Sequence, residues 1–114
     1  MNKVVIFAFL LLLLNQCTST SKKFNVEKDN CRSMYGFFTK SQDCLELKFE
    51  NIDPKNYGEY QDLHGLILKA IADRVYENKL NNDQAWVIYE DVIKDFNKAK
   101  NKNQYLITVL DKYS

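Results

Sequence analysis

Apolar side chains recur at helical spacing through the second half of the chain, and this period limits the fold more than any other feature of the sequence. At 100° per residue, Tyr57, Tyr60, Leu63, Ile67, Leu68, Ile71 and Val75 fall in one arc, and Glu59, Asp62, Lys69, Asp73 and Glu77 fall on the other side. That is an amphipathic helix with one stripe to bury. Asp53-Pro54 offers a cap before a proline at the first helical position. Asn56-x-x-Glu59 offers an overlapping capping box. A helix is expected over 54–80, with Gly58 and Gly65 as its weak points.

Asn81-x-x-Gln84 restarts the chain with a second cap, and a second helix is expected over 82–99. Ala85, Trp86, Ile88, Tyr89, Val92, Ile93 and Phe96 make its apolar arc. The arc covers nearly half the circumference, more than a stripe of about 100° requires. Either this helix is sandwiched deeply, or part of the stripe is exposed. In the second case Trp86 and Tyr89 would form the rim of a docking site, because exposed apolar patches mark contacts. Val87 lies apart, on the polar side. After a lysine-rich break, Tyr105, Leu106, Val109, Leu110 and Tyr113 give a third helix over 103–113. Three such helices joined by short breaks pack as an antiparallel bundle, so the fold class is mainly α.

The segment 30–51 reads differently. Leu45-Glu46-Leu47-Lys48-Phe49-Glu50 alternates apolar and polar residues, the pattern of a half-buried strand. Met34 to Phe38 could pair with it across a turn at 40–43. A β-hairpin is expected, with a short helix capped near Asp29 or Asn30 as the alternative.

The N-terminus reads as an address. Met1-Asn2-Lys3 is basic, Val4 to Leu14 is an unbroken apolar run, and polar residues follow. That is the layout of an export signal. The run is shorter than the ~20 apolar residues a spanning helix needs. Its end, Leu14-Asn15-Gln16-Cys17, resembles the lipobox of bacterial lipoproteins, in which the signal is cut before the cysteine and the cysteine carries the lipid. Gln16 and Asn15 depart from the small residues usual at those positions. The resemblance implies a signal peptide over 1–16 and an acylated Cys17. The domain would then be tied to the membrane through the N-terminal lipid, by a flexible tether over 17–29. Free secretion, with cleavage near Ser19 or Ser21, is the alternative.

The cysteine count fits the lipobox. If Cys17 takes the lipid, Cys31 and Cys44 remain as an even pair. In an oxidising compartment a disulfide is their expected state. The chain has 16 basic and 15 acidic residues, and Lys3 leaves with the signal. A balanced mature charge gives no case for binding nucleic acid or acidic lipid across the whole surface.

Catalytic chemistry finds no carrier. His64 is the single histidine, and its helical neighbours Tyr60, Gln61, Ile67 and Leu68 supply no second metal ligand. It reads as a boundary residue with one hydrogen bond. Asp91 and Asp95 are i,i+4 neighbours and read as a solvated acidic face beside Lys94 and Lys98. No catalytic set, metal site or cofactor is expected. The expectation is a small, non-catalytic envelope lipoprotein over 30–114 that binds another envelope component. A freely secreted binding or inhibitor domain is the alternative, and a small cell-wall hydrolase a more distant one.

Overall fold

The computed structural model describes residues 24–114. The signal region, Cys17 and the first part of the expected tether lie outside the described residues. The chain is helical over 24–35 (α1). A 3-10 turn follows at Phe38–Lys40, then α2 at Gln42–Phe49, α3 at Tyr57–Tyr76, α4 at Asn82–Lys98 and α5 at Lys102–Tyr113. No strand occurs among the described residues.

The three helices read from periodicity are α3, α4 and α5. Most of their buried residues belong to the predicted arcs: Tyr60, Ile67, Leu68 and Ile71 on α3, Trp86, Tyr89, Ile93 and Phe96 on α4, and Leu106 and Val109 on α5; Ala72 is buried outside the α3 arc, and Tyr57, Leu63 and Val75 within it are half-buried. The direction reverses twice. Arg74, near the end of α3, donates from Nε to the carbonyl of Tyr113, at the end of α5, at 2.9 Å. These two helices therefore finish at the same end of the bundle, and α4 runs back between them.

The stops and starts have local causes. Asn78 takes φ 60°, and the amides of Asn78 and Lys79 reach back to the carbonyls of Val75 and Arg74. That left-handed residue closes α3 in a Schellman motif. Asn81 and Gln84 form the full capping box at α4, each side chain meeting the other's backbone amide. Asn101 caps α5 through the amide of Gln104. The expected box at Asn56 is absent: its backbone (φ −115°, ψ 5°) is not in the extended conformation of a cap, and its side-chain amide donates to the Asp53 carboxylate. Asp53 to Asn56 is thus a separate turn, and α3 starts at Tyr57 rather than at Pro54.

The hairpin expectation fails: the segment is helical, but not as the alternative had it, since Asp29 and Asn30 lie inside α1 rather than capping a helix, and a separate helix α2 follows. Leu45 and Phe49 are buried while Leu47, the middle member of the apparent alternation, is exposed. A spacing of four puts Leu45 and Phe49 on one side of a helix, so the alternation was coincidental. The expected tether does not extend over 24–29, which are helical. Phe24, Lys28 and Cys31 lie at helical spacing and are all buried. Lys28 masks this face in the sequence because a lysine reads as solvated.

The helix α1 lies antiparallel along α4. Phe24 and Lys28 meet Tyr89 and Glu90, while Arg32 reaches Asp83. The helix α2 packs on α3, where Glu46 Oε1 lies 2.6 Å from the position a Cβ on Gly65 would take. Cys31 and Cys44 are disulfide-bonded, with Cα atoms 5.8 Å apart. The bond ties α1 to α2, and so fastens both outer helices to the three-helix core.

Candidate functional site

Trp86 and Tyr89 do not form an exposed rim. Both are buried. The Phe38 ring stands edge-on to Trp86 at 5.3 Å and is tilted to Tyr89 at 5.8 Å. The Arg32 guanidinium lies over the Trp86 ring at 5.4 Å. The wide apolar stripe of α4 is explained by sandwiching: α1 and the 3-10 turn cover the part that α3 and α5 leave open. Val87 is exposed, as its place on the polar side predicts.

His64 is not a boundary residue but a core one. Its ring stacks on Phe49 at 3.8 Å, with 7° between the planes. Its Nε2 shares a hydrogen bond of 2.9 Å with the Tyr89 hydroxyl, and Nδ1 finds no partner. Burial lowers the imidazole pKa from 6.5 to about 3, so the ring is neutral at ordinary pH. Burial also raises the Tyr89 hydroxyl well above its usual value, helped by Tyr57 and Glu46. Neither group has access to solvent. The pair joins α3 to α4 from inside and has no route to a substrate.

A second polar pair sits nearer the surface. The Lys28 stem is buried, and its ammonium pairs with Glu90 and, at 3.6 Å, with Asp29. It lies in a groove of about 700 Å³ between α1 and α4, lined also by Phe24, Asp91, Lys94 and Lys98. The groove carries as many acids as bases. Glu90 turns to Lys28 rather than serving its own helix neighbour Lys94. No group of three or more His, Cys, Asp or Glu side chains suited to a metal occurs among the described residues.

The feature that stands out as an interaction surface is the turn after α1. Gly36 ends that helix in the left-handed region, at φ 73°, with its amide bonded to the Arg32 carbonyl at 2.7 Å. Asn82, the first residue of α4, clamps the turn from both sides. Its amide donates to the Gly36 carbonyl at 3.1 Å, and its oxygen accepts from the Phe38 amide at 2.8 Å. Phe38 is thereby driven into the core, while Phe37 and Met34 point outward, 56% and 71% exposed. Tyr35 is exposed beside them. At the same end of α4, Leu80, Val87 and Ile88 line a shallow, mostly apolar groove of about 350 Å³. Sequence reasoning missed this surface because it placed Met34 to Phe38 in a strand. Gly36 between apolar residues was the available sign, since glycine often ends a helix in this way.

The chain matches no protein-family model, no curated protein and no solved structure. No helix among the described residues is long and apolar enough to cross a membrane.

Proposed function

We propose that this protein is a non-catalytic lipoprotein of the cell envelope, held to the membrane by an acyl group on Cys17, which presents a small helical domain for binding another envelope component. The observation that carries the reading is the Cys31–Cys44 disulfide. A stable disulfide belongs to an oxidising compartment, in agreement with an export signal. It also uses two of three cysteines and leaves Cys17 as the odd one, four positions into a Leu-x-x-Cys sequence. The clamped turn with Met34, Tyr35 and Phe37 is the surface best suited to a partner, since it is apolar, exposed and held in place.

Expression of the full chain in a bacterium, followed by phase separation in detergent, tests the anchoring. The wild type belongs in the detergent phase. Cys17→Ser belongs in the aqueous phase, with unchanged helix content. A wild-type protein that stays aqueous and begins at Thr20 or Lys22 would establish free secretion instead, the outcome favoured by Gln16.

A further inference from the structure

The geometry points to a second copy of this chain as the partner of the clamped apolar turn. The turn of each copy enters the groove beside the start of α4 in the other, and the two contacts form together about a two-fold axis. The inference rests on the reading of that turn as the binding surface, and it names the partner.

The surface carries a projection and a recess side by side. The projection is Met34, Tyr35 and Phe37, exposed on a turn that Asn82 fixes with two hydrogen bonds. The recess is the groove of about 350 Å³ lined by Leu80, Asn81, Asp83, Gln84, Val87 and Ile88. Sites for compact ligands run from roughly 300 to 1,000 Å³, so a groove of this size suits a single aromatic ring. Asn82 belongs to the clamp, and Asn81 and Asp83 on either side of it line the groove. Val87 lies only about 8 Å further along α4, at ~1.5 Å per residue. Projection and recess are thus neighbours at one end of one helix. When both halves of a contact lie on the same patch, two copies related by a two-fold axis satisfy both at once. The arrangement also gives a role to Val87, an exposed apolar residue on the polar side of α4 that the bundle itself does not use.

Charge favours the same pairing. The Lys40 ammonium stands 5.5 Å from the centre of the Phe37 ring and has no carboxylate partner among the described residues. The only charged residue lining the groove is Asp83. Its side chain is 83% exposed although it already accepts from Arg32 at 3.0 Å. A Phe37 ring that enters the groove brings its lysine to this open carboxylate, and the symmetry makes the pair twice. The rest of the rim is balanced, with Arg32 paired to Asp83 and Lys79 to Glu77. A rim without surplus charge offers little to a strongly charged partner, whereas two like copies meet on it without repulsion. A flat lipid surface would take the turn but leave the groove unfilled.

Area sets the strength of the contact. Tyr35, Phe37 and Val87 are about half exposed, and Met34 more so. Together they offer on the order of 400 Å² of apolar surface, about half of what each partner of a standard interface covers. The pair is therefore weak and reversible in solution. Two copies held in one membrane meet at a raised effective concentration, which strengthens it.

Cysteine variants of the full-length chain test the inference. Phe37→Cys and Val87→Cys are placed in two differently tagged copies and co-expressed in a bacterium. The membranes are treated with a short bismaleimide, and the linked positions are read by peptide mass spectrometry. Both side chains are exposed, so neither change disturbs the core. The link between position 37 of one copy and position 87 of the other should dominate over 37–37 and 87–87 links. Ile107→Cys, exposed on α5 outside this surface, should link to neither. Met34→Glu in both copies sets an unpaired carboxylate in the contact. It should cut the mixed link at least about tenfold, the effect of ~1.4 kcal/mol. Dominant 37–37 links overturn the turn-in-groove pairing. Links from position 37 to a different protein alone overturn the second copy and leave the turn as the binding surface. No link from either position, in membranes that hold the protein, overturns both.

Discussion

At the scale of single residues, two buried polar groups dominate the account, and both were misread in the sequence for the same reason. Lys28 and His64 look like surface residues by type, and only their spacing from Phe24 and Tyr60 hints otherwise. What decides their burial is a partner far along the chain: Glu90 for Lys28, Tyr89 for His64. Such pairings exist only once α4 is in place, so no local pattern announces them. His64 makes the domain acid-sensitive. The folded ring resists protonation until about pH 3, whereas the unfolded one takes a proton near 6.5. The unfolded chain therefore binds more protons throughout that window. Stability is full above about pH 6.5 and falls as the pH drops, with a limiting slope of about 1.4 kcal/mol per unit. Between pH 6 and 5 few carboxylates titrate, and the only histidine should account for most of the loss. Urea denaturation across that interval should show a loss of about 1 kcal/mol, and a flat response would contradict the buried neutral ring. Tyr89→Phe strands the imidazole without its one hydrogen bond and should cost about 1–3 kcal/mol. The Lys28 pair should behave asymmetrically. Lys28→Met keeps the buried stem and leaves Glu90 free to hydrate, so stability should change by less than about 1 kcal/mol. Glu90→Ala leaves a buried ammonium with Asp29 alone and should be the more damaging change, with the same urea assay ranking the two.

At the scale of elements, the helices with a continuous apolar face and a cap were legible, and the short ones were not. The helices α3, α4 and α5 follow from a 3.6-residue period sustained over three or more turns. The helix α2 is only 8 residues long and buries just Leu45 and Phe49. Two apolar positions cannot distinguish a period of two from one of four. The two asparagine boxes make the same point for caps. Asn81 and Asn56 carry the same sequence signal, yet only Asn81 caps, because Asn81 has the extended backbone a cap requires (φ −89°, ψ 172°) and Asn56, drawn into the turn from Asp53, does not (φ −115°, ψ 5°). Asn81→Ala should therefore cost about 1 kcal/mol, and Asn56→Ala distinctly less, as thermal denaturation of the two variants would show. Gly65 offers a stabilising change. An added Cβ would meet only the end of the flexible Glu46 side chain, which can swing aside. Gly65→Ala should raise stability by about 0.5–1 kcal/mol through helix propensity, and a drop would mean that Glu46 is fixed there.

At the scale of the whole molecule, the disulfide and the missing extra core explain each other. A domain this small has limited apolar surface to bury, and its two outer helices contribute few large side chains. Closing the 13-residue span between Cys31 and Cys44 stabilises by about 3 kcal/mol on the chain-entropy model. Replacing both cysteines with serine should lose about that much and free α1 first, exposing Phe24 and Trp86. The fold class and the cysteine pair were both readable from the sequence. The exposed apolar turn at Met34 to Phe37 was not, because that segment read as a strand, and the period that marked the stripe of α4 could not reveal that α1 covers it. Anchoring, disulfide and compartment meet in one quantity, the intact mass of the protein purified from the membrane fraction without reductant. The account predicts a chain that begins at Cys17, heavier by its acyl groups and lighter by the two hydrogens lost at Cys31 and Cys44. An unmodified mass beginning downstream of Cys17, or one retaining both hydrogens, would contradict it.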